Sequence, residues 1–388
     1  MRPSGRARAI AFLIGLGAAW NAGNVGPVVT HIAGEYDVTL SQVGLLSGGV
    51  FCAGIAGAGF AGAWISERVS VIGGLRLCCV ACLAGNVLVA VSPWFELALV
   101  ARILTGIGLG LAFLFGGVYA RHEGGSKLVG LFGAGITLGM AFALGIGGAM
   151  EDLGVDWRWA FALSALIGVS ALPLLPRHSE AEPPKHEPLL EVLRQAATSL
   201  PFWRLQGIAT PAFSVPIVIG AWFVHYLVVE GGVAAGAAGL LGFLVFAVSA
   251  VSRDLSGQLL ARKTPSGVLS LGGLALGAAG IGVLAFEPSI GGGIASAVLM
   301  GLGLSLPYAV VYEEGVRVLP ESPVGGLGTT QATTNAFPIL VTPLLGAALA
   351  GGGGTEAWLA IAAFVLIGGI LNARPAVAPP PAGESAHG

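Results

Sequence analysis

Charge is what this chain has least of. Only 10% of its 388 residues are Asp, Glu, Lys or Arg, while 55% are hydrophobic. A water-soluble domain of this length carries far more, since roughly a quarter of an ordinary globular chain is charged. The formal net charge of −2 leaves no basic footprint and excludes a nucleic-acid partner. Cysteine is scarce too. Cys52, Cys78, Cys79 and Cys82 all lie inside apolar segments, without the paired loop spacing of a zinc site or a secreted disulfide framework. They read as small packing residues. The sequence has no P-loop, no H-E-x-x-H and no metal-ligand cluster, so neither a cofactor nor a metal nor a catalytic centre is expected. The first apolar stretch is too long for a cleaved signal peptide, and no small-residue cleavage site precedes a soluble domain.

What fills the chain is apolar length. Twelve segments lie at 9–31, 42–65, 71–92, 96–120, 128–150, 158–175, 203–228, 233–252, 266–286, 289–312, 324–350 and 355–372. A helix needs about 20 apolar residues to cross a hydrocarbon core of ~30 Å. The expected fold class is therefore all-α and integral to a membrane, with lipid as its surroundings. The charges in the loops alternate. With a cytoplasmic N-terminus, every Lys and Arg except Arg102 and Arg158 falls on the cytoplasmic side. The outer loops then hold Arg158 against Glu35, Asp37, Glu96, Glu151, Asp152, Asp156, Glu230, Glu287 and Glu356. That asymmetry predicts a multi-pass protein of the cytoplasmic (inner) membrane with both termini inside.

A Pro- and charge-rich stretch separates six spans from six. The expected division is an N-terminal bundle at 1–176, a cytoplasmic linker at 177–202, a C-terminal bundle at 203–372 and a disordered tail at 373–388. A short surface helix is expected over 188–199. The halves echo each other: span 2 exits through Glu67-Arg68 much as span 8 exits through Arg262-Lys263. Leu144-Gly145-Ile146-Gly147 of span 5 matches Pro343-Leu344-Leu345-Gly346 of span 11. Two six-helix halves related by a repeat are a transporter plan, with the solute bound between them. Glycine is abundant at 64 residues and it is ordered. Gly135, Gly139, Ala143 and Gly147 share one face of span 5, and Gly54, Ala58 and Gly62 one face of span 2. Such faces let backbones approach closely in lipid.

Local motifs carry a resemblance. Arg102-Ile103-Leu104-Thr105-Gly106-Ile107-Gly108-Leu109-Gly110 in span 4 resembles the R-x-x-x-G-x-G-x-G pattern of the major facilitator superfamily. Asp156-Trp157-Arg158-Trp159-Ala160-Phe161 is similar to the family's signature at the entry to span 6. The loop after span 2 matches loosely: Ala63 stands for a Gly, Glu67 for an Asp and Ser70 for a second Gly, while Arg68 agrees. The resemblance covers 9–372. It implies two six-helix bundles, alternating access, a monomer, and a cavity lined by spans 1, 4, 5, 7, 10 and 11. It also implies that Glu67, with Arg68 and Arg121, closes an inner gate against the N-terminus of span 11, which opens with Gly325, Gly326 and Gly328.

Candidate solute contacts follow from polarity at depth. Arg102 lies ~10 Å below the surface, where a charge must face water or a partner. It is either a cavity cation or a structural group bonded to backbone carbonyls. Asn21 and Asn24 share a face of span 1, Gln331 and Asn335 a face of span 11, and Thr137 lies near mid-depth in span 5. Buried amides of this kind bind a ligand or glue helices together. Pro27, Pro211, Pro216, Pro307, Pro338 and Pro343 interrupt the same spans. No Asp or Glu falls in the middle third of any span. The proton-driven exporters' span-5 signature is altered here to Gly139-x-x-x-Ala143-Leu144-x-x-Gly147-Gly148, without its Pro. The reading is a secondary active transporter for a small organic solute, neutral or anionic, with protons as a coupling ion. The alternative is a proton-coupled multidrug or metabolite efflux permease of the same fold. A sensor or membrane-embedded enzyme would need a soluble domain or catalytic cluster that the short loops do not provide.

Overall fold

The computed structural model describes residues 3–177, 181, 189–315, 317–319 and 323–372. The expected tail at 373–388 and most of the linker, 178–180 and 182–188, lie outside the described residues. Twelve helical segments run in order: α1 Gly5–Tyr36, α2 Leu40–Phe60, α3 Val71–Val91, α4 Phe95–Gly125, α5 Lys127–Asp152, α6 Arg158–Leu174, α7 Leu200–Val229, α8 Ala235–Ala261, α9 Ser266–Phe286, α10 Ile290–Gly315, α11 Gly328–Ala350 and α12 Gly354–Leu371. Eleven are long and apolar enough to cross a membrane, and α6 is the short one. Among the described residues there is no strand.

The segments alternate in direction, so their ends fall into a basic end and an acidic end. At the basic end, Arg6 Nε donates to Leu174 O at 2.7 Å and Arg76 Nη2 to Pro176 O at 3.0 Å. Both satisfy carbonyls at or just past the C-terminus of α6, where cations are favoured. At the acidic end, the predicted Asp156–Phe161 motif is a clamp. Asp156 Oδ1 accepts from Arg158 N at 2.8 Å, Arg158 Nη2 meets Glu35 Oε1 at 2.9 Å, and the Arg158 guanidinium lies 4.6 Å from the Trp157 ring centroid.

Local chemistry sets the helix boundaries. Ser70, the departure from the loop pattern, is the N-cap of α3: its Oγ accepts from Gly73 N at 3.2 Å. Gly125 turns α4 into α5 at φ 60°, ψ −152°, a conformation open only to glycine. The surface helix expected over 188–199 spans Leu189–Thr198. It buries Val192 and Ala196, one turn apart, and leaves Leu190 82% exposed. The main boundary difference is α8, which continues nine residues past the predicted 252 to Ala261. Arg253 and Asp254 interrupt its hydropathy but not its helix.

The small-residue faces are seams. Side chains on Gly135 and Gly139 would strike the backbone of Phe12 and Leu16, so α5 lies against α1. Gly54 meets Ile103 and Gly106 on α4 in the same way. Tryptophan divides in two. Trp64, Trp94, Trp159 and Trp203 are exposed near helix ends, as an interfacial belt requires, whereas Trp20, Trp157, Trp222 and Trp358 are packed inside.

Four helices break near mid-depth. In α1 the turns Trp20–Ala22 and Gly26–Val28 are 3₁₀. In α7 the break is Ser214, between Pro211 and Pro216. The break in α10 is Leu306–Pro307 and in α11 Asn335, ahead of Pro338. Proline has no N–H and its ring displaces the preceding turn.

Candidate functional site

The breaks free polar backbone inside the bundle, and the N-terminal half satisfies it with a lattice of side chains. Arg102 is fully buried on α4. Its Nε donates to Leu46 O at 3.1 Å, Nη1 to Asn24 Oδ1 at 3.3 Å, and Nη2 to Asn21 O at 2.8 Å and Ser47 O at 3.3 Å. Its guanidinium carbon lies 4.6 Å from the Phe51 ring centroid. Leu46 and Ser47 sit in a π-helical turn of α2, Leu45–Gly49, and Asn21 in the broken turn of α1. Asn86 of α3 completes the lattice. Its Nδ2 donates to Asn21 Oδ1 at 2.7 Å and to Cys82 O at 2.8 Å, while Asn24 Nδ2 donates to Asn86 Oδ1 at 3.3 Å and Ser164 Oγ at 3.0 Å. The structure therefore gathers three of the predicted residues, Asn21, Asn24 and Arg102, and partners them with protein.

The other three predicted residues lie elsewhere. Thr137 Oγ1 donates to Gly133 O at 3.1 Å within α5. Asn335 Nδ2 donates to Gln331 O at 2.7 Å within α11. The C-terminal half is less satisfied than the N-terminal half. Gln206 Nε2 and Oε1, Arg253 Nε, Thr330 Oγ1 and Asn335 Oδ1 are buried atoms without a hydrogen-bond partner. Arg253, Tyr308 and Gln206 were not among the sequence candidates. Arg253 read as a loop charge because it followed an apolar run. The Tyr308–Tyr312 spacing, one helical turn after Pro307, was a legible signal, as was Asn86 at mid-span.

Closure is uneven. At the acidic end α2 meets α11 and α5 meets α8. Thr342 Oγ1 donates to Gly44 O at 2.9 Å, and Trp222 Nε1 donates to Thr342 O at 3.0 Å. A Cβ on Gly346 would strike Leu40 O, and one on Gly148 would lie 2.8 Å from Gly239 Cα. The matched segments of spans 5 and 11 thus do the same job, each packing on the other half. Phe142 and Phe243 meet across the second seam with ring centroids 5.4 Å apart and planes tilted by 54°. Thr30 Oγ1 lies 3.5 Å from His225 Nδ1, and these two line a pocket of ≈ 250 Å³ above the seam together with Leu40, Glu230 and Leu349. His31 Nδ1 pairs with Glu151 Oε1 at 3.0 Å on the same end.

The basic end is looser. Gly57, Gly257 and Gly328 face open space, although α2 still touches α11 there: a Cβ on Gly59 would lie 3.6 Å from the Ala332 Cβ. Glu67 lies 3.3 Å from its neighbour Arg68, with 68% and 50% of those side chains exposed, and Arg68 stacks on Trp64 at 4.5 Å. Arg121 is exposed, and no described bond joins it to Glu67. Gly325 and Gly326 belong to the helix Pro323–Thr334, but their surroundings lie outside the described residues. Among the described residues, no group of three or more His, Cys, Asp or Glu is placed to hold a metal ion.

A bundle of apolar helices, sealed at one end and broken at mid-depth around polar side chains, defines a polytopic membrane carrier. The chain belongs to the Major Facilitator Superfamily, whose family model matches residues 11–335. It is thus a multi-pass membrane protein of a transporter family, not an enzyme. Its fold is similar to that of a bacterial homolog to the human lysosomal transporter Spinster in an inward-facing, unoccupied conformation, at 18% identity over 95% of this chain and 96% of that one, with a TM-score of 0.73. It is also similar to a POT family transporter in complex with 5-aminolevulinic acid (13% identity, 95% of each chain, TM-score 0.76). A third is the xylose transporter XylE from E. coli in a partially occluded inward open conformation (14% identity, 94% of this chain and 96% of that one, TM-score 0.72). Identities this low speak for the fold alone. No curated protein matches the chain.

Proposed function

We propose that this protein carries a small organic solute, neutral or anionic, across the cytoplasmic membrane by alternating access. The basic end, with both termini, faces the cytoplasm, as the loop charges require. The observation that carries the reading is the one-ended closure. Two glycine-lined seams seal the acidic end, while at the basic end Glu67 pairs with its neighbour Arg68 and no described bond joins it to Arg121. This uneven closure supports the reading of an inward-facing carrier. In the opposite state Glu67 leaves Arg68 for Arg121 and the N-terminus of α11, whose dipole favours a carboxylate. The polar interior favours a neutral or anionic solute because Arg102 is buried there, with no Asp or Glu in the middle third of any span. Of the predicted contacts, Thr137, Gln331 and Asn335 remain solute contacts in this reading. Asn21, Asn24 and Arg102 act on the solute through the shape of the α1 break. Protons are the proposed coupling ion and the monomer the proposed unit.

The test is uptake into proteoliposomes with an imposed pH gradient, using carboxylates, sugars and the cation ethidium. Uptake of an anionic or neutral solute that collapses with a protonophore supports the proposal. Transport confined to ethidium replaces it with the efflux permease.

A further inference from the structure

Among the described residues, Arg253 is a helix-embedded arginine whose described neighbour is an aromatic ring rather than a carboxylate. It lies ~27 Å along α8 from the acidic end and ~12 Å from the basic end, inside a 27-residue helix rather than in a loop, and it is half-buried. Its Nε is buried with no hydrogen bond. Among the described residues no carboxylate forms an ion pair with it. The nearby acids are engaged: Asp254 accepts from Gln258 Nε2 at 2.8 Å, Glu313 pairs with Arg317 at 2.7 Å, and Glu314 is buried with a partner of its own. Arg102, by contrast, has all its nitrogens bonded. A cation at this depth needs water or an anion against it.

The surroundings of Arg253 select the anion. Its guanidinium lies over the Tyr308 ring, 4.6 Å from the centroid. Stacking covers a face of the guanidinium and leaves its N–H edge to donate, in the forked geometry that a carboxylate accepts. Tyr308 is 4.8 Å from Tyr312 and 5.7 Å from Phe213, and Phe213 is 6.0 Å from Tyr312. Three rings so placed form an aromatic wall, and none of them is fully buried. Two turns from Phe213 on the same face of α7 is Gln206, which is 7% exposed with both amide atoms unpartnered. The wall also reaches the other half. A Cβ on Gly133 of α5 would lie 3.6 Å from the Tyr308 hydroxyl, one turn from Thr137.

The geometry points to an anion subsite on the C-terminal half that takes a small aromatic monocarboxylate. Arg253 receives the carboxylate edge-on. The ring of the solute packs against Phe213, Tyr308 and Tyr312, and Gln206 supplies an amide for a ring substituent. The site draws on α7, α8 and α10 and touches α5, so an occupant bridges the halves toward the basic end. This assignment rests on the transporter reading and names its solute class.

The probe is benzoate, compared with benzyl alcohol, benzylamine and acetate, on the full chain in detergent. Thermal unfolding and calorimetric titration are the readouts. Benzoate raises Tm, while its neutral and cationic relatives do not, and acetate binds more weakly for want of a ring. Arg253→Gln weakens benzoate binding roughly tenfold to a hundredfold, the loss expected for a hydrogen-bonded charge, and Arg253→Lys recovers part of it. A silent benzoate, an equal response to benzylamine, or full benzoate affinity in Arg253→Gln overturns the assignment. Should Arg253→Gln fail to fold, Tyr308→Leu and the parent's own ligand panel decide. The two readings separate in a labelling assay, because all four native cysteines are buried. If Gly328→Cys and Leu40→Cys trade accessibility while benzoate does nothing, only this subsite falls. If they never trade, the transporter reading falls and this subsite with it.

Discussion

At the residue scale, Arg102 and Arg253 show how one side chain can be legible in kind and not in role. Both are arginines inside apolar helices, and the sequence singles out only Arg102, because Arg102 sits within an uninterrupted hydropathy window. What decides its role is the set of acceptors around it, and Leu46 O, Ser47 O and Asn21 O are backbone atoms that no residue pattern displays. The structure gives the lattice its consequence. Arg102→Ala removes the donors to four buried acceptors and is expected to destabilise the fold by about 3–5 kcal/mol. Arg102→Lys keeps the charge without the fork and recovers part of that loss. Thermal unfolding in detergent checks both, and an alanine variant as stable as the parent rejects the lattice.

At the element scale the sequence is more informative, because helix faces repeat. The Gly135–Gly139–Ala143–Gly147 face is readable as a seam before its partner is known. The structure supplies the partners, Phe12 and Leu16 of α1 and, for Gly147, Pro27 at 2.8 Å from its would-be Cβ. Gly139→Val forces side-chain carbon into the Leu16 carbonyl, and overpacking of this kind costs about 1–3 kcal/mol. A lowered Tm together with reduced yield of monodisperse protein is the expected reading, whereas an unchanged melt means that α1 and α5 are not held this closely. The α8 boundary was less legible. A window that scores hydropathy stops at Arg253-Asp254, but a helix needs only hydrogen-bonded backbone and tolerates charge where the side chain reaches a polar interior.

At the scale of the whole molecule, the succession of apolar spans is readable in the sequence, and which end is closed is not. Residue type does not say which end is closed, since both seams and gates are built from the same Gly, Glu and Arg. Two variants should move the equilibrium in opposite directions. Gly148→Val pries α5 from Gly239 of α8 at the sealed end, so labelling of a cysteine at Gly328 should fall. Glu67→Ala removes the proposed latch of the other state, so the same labelling should rise. If both variants label like the parent, the seam and the gate are not the elements that set the balance.

The acidic-end seam also has a thermal consequence. It is closed by glycine backbones, Leu144, Phe142 and Phe243, with the Thr342 to Gly44 hydrogen bond joining α11 to α2. Opening it wets apolar surface, which raises the heat capacity, and the free-energy penalty for wetting such surface shrinks on cooling. The balance between the two faces of the membrane should therefore drift with temperature, cold favouring the open acidic end. Labelling of Leu40→Cys measured from warm to cold would trace that drift as a curve rather than a straight van't Hoff line. On that reading, the glycines that make the seal tight also make the carrier's resting posture sensitive to temperature.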